Sequence, residues 1–417
     1  MNRKLIFLLF TLFILIMDLY ASRGIRNLLH IQSDHAVVFR IIYWGITLMM
    51  LSALVWSGSV FQRQRDPVIF HRVTLVLGIF LMYFVPILLF NAFQLAGDLT
   101  SGMTWLFARE ADFHGLRKFF LIPGAIAGIL LFAGFGMGMV RGVTNIKIFR
   151  EEIGIPGLPE PFSGIRVVQI SDFHLAGFHH RPDHIRKAVD LVKAIGPDLI
   201  LFTGDMVHNF AEEMDPFMDI LKSLKAPLGK YAILGNHDYG AYYSWNSETE
   251  KRANLEKVKS QVRKAGFDLL LNEHRTIALN GTAVELVGVE NWGKAPMPQE
   301  GDLDRAMAET DPSAIKILLT HDPHHWLLHV RGRKDIPLTL SGHTHGFQFG
   351  FEIGKFKWSP SAWMYDHWAG LLRENGQYLY VNRGIGYTGF PGRVGIRPEI
   401  TLLTLSPQAN EADSPVP

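Results

Sequence analysis

Between residues 41 and 61 the chain carries no charged side chain. A run of that length and polarity does not belong on the surface of a water-soluble domain. As a helix it crosses the roughly 30 Å hydrocarbon core of a bilayer. Residues 73–93 and 119–140 have the same character. A fourth run, residues 5–17, is shorter: Arg3 and Lys4 precede it, Asp18 follows it, and it extends to Tyr20 at most. It reads as a first membrane helix or as the apolar core of a secretory signal with small residues at Ala21-Ser22, and the spans that follow favour the helix. Residues 1–143 are therefore expected to form an all-α membrane region of about four transmembrane helices, near 5–20, 41–61, 73–93 and 119–140.

Pro86 lies inside the third span, where neighbouring helices can satisfy the carbonyl it frees. In the fourth, Gly124 with Gly128 and Gly134 with Gly138 have a spacing that permits close helix approach. The ionisable residues of these spans, Asp18 and Arg40, are read as lying near span ends, which argues against a buried ion path and so against a transporter. Flanking basic residues set orientation. Arg3, Lys4, Arg63, Arg65, Arg72, Arg141, Lys147 and Arg150 fall on one side, and Arg23, Arg26, Arg40, Arg109, Arg117 and Lys118 on the other. The larger group is expected inside, and the C-terminal domain with it.

Composition adds two exclusions. The chain is 48% hydrophobic, and the excess sits in its first third. A net charge of +2 gives no polyanion-binding character, so no nucleic-acid partner is expected. The absence of cysteine removes disulfides, thiolate ligands and a cysteine nucleophile.

Residues 144–163, with Pro156, Pro159 and Pro161, read as a linker. From 164 to 406 the chain alternates strand and helix, and 407–417 reads as a disordered tail. Ile185, Ala188, Val189, Val192 and Ile195 share one face of a helix over 183–195, and residues 212–224 read as a second helix. Short apolar runs in this domain each end in a polar cluster: Asp172-Phe173-His174, Gly204-Asp205, Gly235-Asn236-His237-Asp238, Thr320-His321-Asp322 and Gly342-His343-Thr344-His345. An α/β sheet presents its functional side chains at the carboxyl ends of its strands, so the five clusters are expected to converge. Carboxylate, amide and imidazole donors without thiolate suit manganese, iron or zinc in a hydrolytic site. A pair of such ions clamps a phosphoryl group and generates a nucleophile from water.

The ordered set resembles the calcineurin-like metallophosphoesterase superfamily, whose signature is D-x-H, G-D, G-N-H-[DE], H and G-H-x-H. The resemblance covers residues 164–405, and every motif is present. It implies an α/β fold, a β-sandwich flanked by helices, with a dinuclear centre of two divalent metal ions. Asp172, His174 and His345 would hold one metal, Asp205 would bridge, and Asn236, His321 and His343 would hold the second. The resemblance makes His237 the histidine that contacts phosphate and protonates the leaving group, and Asp238 the residue that orients it.

The SDFHL segment, residues 381–386 and the Arg393…Pro398-Glu399-Ile400 stretch look like a bacterial membrane-associated branch of that superfamily. The expected protein is an integral protein of a bacterial inner (plasma) membrane, with the domain on the cytoplasmic side. Its expected activity is hydrolysis of a phosphodiester, pyrophosphate or phosphomonoester, with a lipid-linked substrate as the reading from location. A tethered nucleotide phosphodiesterase or protein phosphatase is the rival, and a non-catalytic metal-binding scaffold a further one. Three other features are open. His179, His180 and Arg181 either face substrate or form a solvated loop. Arg383 and Arg393 either bind an anion or make structural pairs. Trp358, Trp363, Tyr365 and Trp368 belong either to a lid resting on the bilayer or to an ordinary β-rich insertion.

Overall fold

The computed structural model describes residues 3–61, 65–109, 112–294, 297–354 and 356–407. Arg63 and the tail from 408 onward lie outside them. Contacts divide the chain into two units, one made of the N-terminal helices and one of residues 62–71 together with everything from Arg141 onward.

The first unit contains helices α1 (Arg3–Leu28), α2 (Ser33–Phe61), α3 (Pro67–Phe107) from Arg72 onward and α4 (Phe113–Val140), each helix long and apolar enough to cross a membrane. Their outward faces carry exposed apolar side chains such as Leu8, Ile41, Ile129 and Leu130. A polar network ties α1 to its neighbours. Tyr43 and Tyr83 donate to Asp18 Oδ1 at 3.2 and 3.1 Å. Asn91 donates to the Met17 carbonyl at 2.8 Å, and Gln94 to that of Tyr20 at 3.1 Å. Asp18 is thus fully buried well inside its helix, not at a span end. The helix continues past Tyr20 to Leu28, and the polar residues beyond the apolar run pack inward. A Cβ on Gly124 would meet the Phe93 Cβ at 2.7 Å, and one on Gly128 the Pro86 carbonyl at 3.4 Å. Close approach of α4 to α3 therefore uses the first glycine pair.

In the second unit, strands β1 (Lys147–Gly154), β2 (Arg166–Ile170), β3 (Leu199–Phe202), β4 (Lys230–Ala232) and β5 (Asp268–Leu269) enter one sheet. β6 (Glu273–Leu279), β7 (Thr282–Gly288), β8 (Lys316–Leu319) and β9 (Leu338–Ser341) enter another. A hairpin, β10 (Phe351–Ile353) and β11 (Phe356–Trp358), interrupts before β12 (Gly370–Glu374) and β13 (Gln377–Val381) complete the second sheet. β14 (Glu399–Ser406) returns to the first. The orders are β1-β14-β2-β3-β4-β5 and β12-β13-β9-β8-β7-β6, each with parallel and antiparallel pairs.

Alternation along β2 shows why the sheets stack. Val167 packs with Leu199, Leu286, Leu319 and Leu340 in the core shared by the two sheets. Val168 and Ile170 point the other way, onto the apolar face of α5 (Pro182–Ile195). Burying each such side chain contributes about 1.5–3 kcal/mol. Gln169 is the polar exception, donating to Thr203 Oγ1 at 3.1 Å and to the Ser341 carbonyl at 2.8 Å.

Two expectations need correction. Residues 144–163 are not merely a linker, because β1 pairs in parallel with β14 along eight residues. Its mixed polar side chains are those of an edge strand, which periodicity alone does not reveal. The helix read over 212–224 is broken into a 3₁₀ turn, Ala211–Phe217, and a short helix, Met218–Lys222. Pro216 cannot donate the hydrogen bond that would continue it.

Candidate metal centre

Strands β2, β3, β4, β8 and β9 end beside one another, and the residues just beyond them form one buried cluster. Asp172, His174, Asp205, His343 and His345 all take positive φ, at 53°, 47°, 60°, 74° and 50°. Such conformations cost about 1–3 kcal/mol each in non-glycine residues and persist where surrounding structure imposes them. Here they turn two side chains of one loop toward the same point. The motif glycines make room for this. A Cβ on Gly235 would lie 2.3 Å from Asp205 Oδ1, and one on Gly342 would lie 2.4 Å from Asp172 Oδ2.

Among the described residues three groups of potential ligands result, of which two contain a carboxylate, Asp172 with His174 and His345, and Asp205 with His321 and His343. In the first, His345 Nε2 lies 3.3 Å from Asp172 Oδ1 and 3.0 Å from His174 Nε2. In the second, His321 Nε2 lies 3.1 Å from Asn236 Oδ1 and 3.2 Å from His343 Nδ1. Asp205 Oδ2 stands between the groups, 3.5 Å from His174 Nε2 and 3.2 Å from His321 Nε2.

The donor set fits a cation. Two buried carboxylates lie beside imidazole nitrogens that approach one another at 3.0 and 3.2 Å, a set of donors that a cation would hold together. Burial works against His321 ionising, yet Asp205 beside it raises its pKa to about 10. Burial would likewise raise Asp205, but His321, His237 and His174 together hold it well below the usual carboxylate range. His321 Nδ1 donates to the Thr203 carbonyl at 2.7 Å, which leaves Nε2 to coordinate. Asn236 is oriented too: its Nδ2 donates to the Tyr242 hydroxyl at 2.7 Å, which turns Oδ1 toward His321.

His237 lies at the edge of the cluster with its ring stacked on Tyr242, centroids 4.3 Å apart. Its Nδ1 donates to the His208 carbonyl at 2.9 Å, so the other ring nitrogen is left for a ligand. The expected partnership with Asp238 is absent. Asp238 Oδ2 accepts the backbone N–H groups of Asp205 and Gly235, each at 2.9 Å, and Oδ1 that of Val207 at 3.1 Å. His237 and Asp238 are consecutive in a 3₁₀ turn, so their side chains diverge. Burial and the Asp205 charge push the Asp238 carboxyl up to about 7.

His208 has no counterpart in the sequence reading. It is buried, groups with His174 and His237 at ligand spacing, and its ring centroid lies 4.6 Å from that of His237. The only signal was its place in the loop that carries Asp205. Glu213 organises that loop by accepting the backbone N–H groups of Ala176, His208, Asn209 and Phe210. Arg383 is paired with Glu399 and Glu352, and Arg393 donates to the carbonyls of Gly384 and Gly386, so both are structural. His180 and Arg181 are exposed in the loop after His174.

Comparison with known proteins agrees with this geometry. Residues 165–347 match the family model described as calcineurin-like phosphoesterase, and residues 2–143 match that of a probable calcineurin-like phosphoesterase transmembrane domain. The metallophosphoesterase YkuE of Bacillus subtilis is 32% identical over 290 residues, covering 68% of this chain and 94% of that protein. The chain belongs to the calcineurin-like metallophosphoesterases. Its membrane region has relatives too. A transmembrane protein with metallophosphoesterase domain from Danio rerio is 27% identical, covering 87% of this chain and 80% of its own length. The UDP-2,3-diacylglucosamine pyrophosphatase LpxG of Chlamydia trachomatis is 29% identical, covering 55% of this chain and 81% of its own. This metallophosphoesterase is thus a membrane-associated hydrolase of phosphoester bonds.

Proposed function

We propose that the metallophosphoesterase is dinuclear and hydrolyses a lipid-linked phosphodiester or pyrophosphate. The observation that carries the dinuclear reading is the position of Asp205 Oδ2 between His174 Nε2 and His321 Nε2. Asp172, His174 and His345 would hold one ion, Asn236, His321 and His343 the other, and Asp205 both. Manganese, iron and zinc suit these donors. Bound there, such ions would polarise a phosphoryl group and make a water acidic enough to attack at neutral pH. His237 is the proton donor: with Nδ1–H engaged by the His208 carbonyl, its outer nitrogen, taking up a proton beside the bound anionic phosphoryl group, would pass that proton to the departing oxygen and return the ring to its neutral form. Asp238 fixes the backbone of the Asp205 and Asn236 loops and acts on the site through them.

Two observations support a lipid-linked substrate. LpxG is named for a pyrophosphatase activity on a diacylated sugar nucleotide. Within this chain, Phe347, Phe351, Ile353, Phe356, Trp363 and Met364 form an exposed apolar stretch in the segment after His345. That segment returns to the site through Tyr365, whose ring lies 5.9 Å from that of His343. We infer a plasma (inner) membrane location with the domain on the cytoplasmic side, from the flanking Lys and Arg.

The test uses full-length protein in detergent micelles. It compares a lipid-linked pyrophosphate, bis-p-nitrophenyl phosphate and soluble nucleotides, with divalent metal or chelator and with Asp205→Asn as control. Metal-dependent cleavage that favours the lipid substrate is expected. Faster cleavage of nucleotides than of any lipid phosphate would favour the tethered phosphodiesterase.

A further inference from the structure

Residues 65–71 fall between α2 and the apolar part of α3 in sequence, yet they cluster with the phosphoesterase unit. Two of them reach the loops that carry the candidate ligands. The Arg65 guanidinium faces the rings of Phe210, Tyr243 and Trp245 at 5.4, 5.4 and 4.9 Å, and pairs with Glu250. Phe210 belongs to the Asp205 loop, whereas Tyr243 and Trp245 follow the Asn236–Asp238 turn. Arg65 therefore joins the two loops through a shared aromatic cage.

Phe70 lies against His208, ring centroids 4.5 Å apart. His208 in turn supplies the carbonyl that accepts from His237 Nδ1 at 2.9 Å. An unbroken series of contacts thus runs from Phe70 through His208 to His237. Each member fixes the next: a ring against a ring, then a carbonyl that sets both tautomer and tilt.

We propose that residues 65–71 form a wall of the phosphoester site, and that Phe70 and Arg65 are positioning residues for the proton donor His237. Activity then depends on a segment that precedes α3 and forms its first turn, and a domain excised from Arg141 onward lacks part of its own site. The proposal rests on the phosphoesterase reading and on the role of His237 within it.

A displaced proton donor has a specific signature. A phenyl ester needs protonation of its leaving oxygen, whereas a p-nitrophenyl ester, which releases a stable phenolate, does not. The experiment measures kcat and KM of full-length wild type, Phe70→Ala, Phe70→Tyr, Arg65→Ala and Arg65→Lys in micelles. Both diesters are used, and bound metal and thermal stability are followed in parallel. Phe70→Ala and Arg65→Ala should lose about ten- to a hundredfold in kcat on the phenyl diester, the scale expected when a catalytic group is misplaced. They should lose far less on the p-nitrophenyl diester, with metal content unchanged, and Phe70→Tyr and Arg65→Lys should recover most of the loss. Equal losses on both diesters, or no loss on either, would overturn the positioning role. If Phe70→Ala does not fold, the Arg65 pair gives the same decision. A wild-type chain that binds metal but cleaves neither diester would instead refute the phosphoesterase reading, and this role with it.

Discussion

Asp238 is bonded to the backbone of Asp205, not to the ring of its neighbour His237. Its Oδ2 accepts the Asp205 N–H at 2.9 Å, and the same oxygen accepts from Gly235 at an equal distance. The carboxylate therefore holds together two of the loops on which the ligands stand. Asp238→Asn should lower metal occupancy and kcat together, by about a hundredfold in the rate, because a buried amide cannot accept all three N–H groups. His237→Gln should lower kcat by about 10²–10⁴ while metal occupancy stays near wild type. Metal analysis beside steady-state rates separates the two. Retention of full metal by Asp238→Asn would contradict its assignment to the scaffold.

The close approach of the Gly235 and Gly342 backbones to the buried aspartates gives a second outcome. Gly235→Ala places a methyl group where Asp205 Oδ1 lies, and Gly342→Ala places one against Asp172 Oδ2. Each should abolish metal binding and activity. Overpacking of this kind costs about 1–3 kcal/mol, so the fold should survive and circular dichroism should remain close to wild type.

Acid sensitivity follows from two histidines outside the ligand set. Burial, reinforced by His329, pushes His325 down from the usual 6.5 to about 4, and burial lowers His367 to about 4 as well. His325 stacks on Trp292 and His367 Nε2 lies 2.8 Å from the Gly370 carbonyl, so both are packed as neutral rings. The unfolded chain takes up these protons below pH 6.5 and the native chain does not. Their stabilisation is thus complete above 6.5 and is lost as pH falls toward 4. Between pH 7 and pH 5 each contributes a loss of about 2 kcal/mol. His325→Phe should flatten the fall in thermal stability over that interval, and an unchanged slope would count against the assignment.

Arg393 is fully buried beneath the site, with its guanidinium among the carbonyls of Arg383, Gly384 and Gly386. A lysine cannot reproduce this fork. Because the Arg393 guanidinium also lies 3.1 Å from His345 Nδ1, Arg393→Lys should destabilise the chain by about 3–5 kcal/mol and lower metal occupancy and activity of the protein that remains folded. Chemical denaturation followed by tryptophan fluorescence would show it.

The exposed stretch on the β10–β11 hairpin and its flank leads to a prediction about substrate form. Phe356 and Trp363 are 67% and 78% exposed. If they rest in a bilayer, replacing both with serine should slow turnover of a vesicle-embedded substrate about tenfold or more, each ring contributing on the order of 1.5 kcal/mol. Turnover of a soluble diester should be unchanged. Equal effects on both substrates would point to ordinary packing.

Much of the site was legible because chemistry and position coincide in the motifs. A carboxylate or imidazole just after a buried strand has few places to go, and Asp172, Asp205, Asn236, His321 and His343 stand together as that rule requires. What escaped depends on contacts distant in sequence. Neither His208 nor Tyr242 sits at a recognisable spacing; His208 acts through the carbonyl and ring it offers to His237, and Tyr242 through its ring on His237 and its hydroxyl on Asn236. The role of Asp238 came from the resemblance, whereas here its carboxylate accepts the backbone N–H groups of Asp205, Val207 and Gly235. β1 was hidden by its polar residues and by the prolines that follow it. Asp18 was read as a span end because the helix continues through polar residues that pack against α2 and α3.

The most direct test of the central claim is the metal content and magnetic state of the purified full-length chain loaded with Mn²⁺. Two ions sharing the Asp205 carboxylate should give two manganese per chain and an exchange-coupled electron paramagnetic resonance spectrum. Asp205→Asn should lose both the coupling and phosphodiester hydrolysis. One ion per chain, or an uncoupled spectrum in an active wild type, would contradict the dinuclear centre.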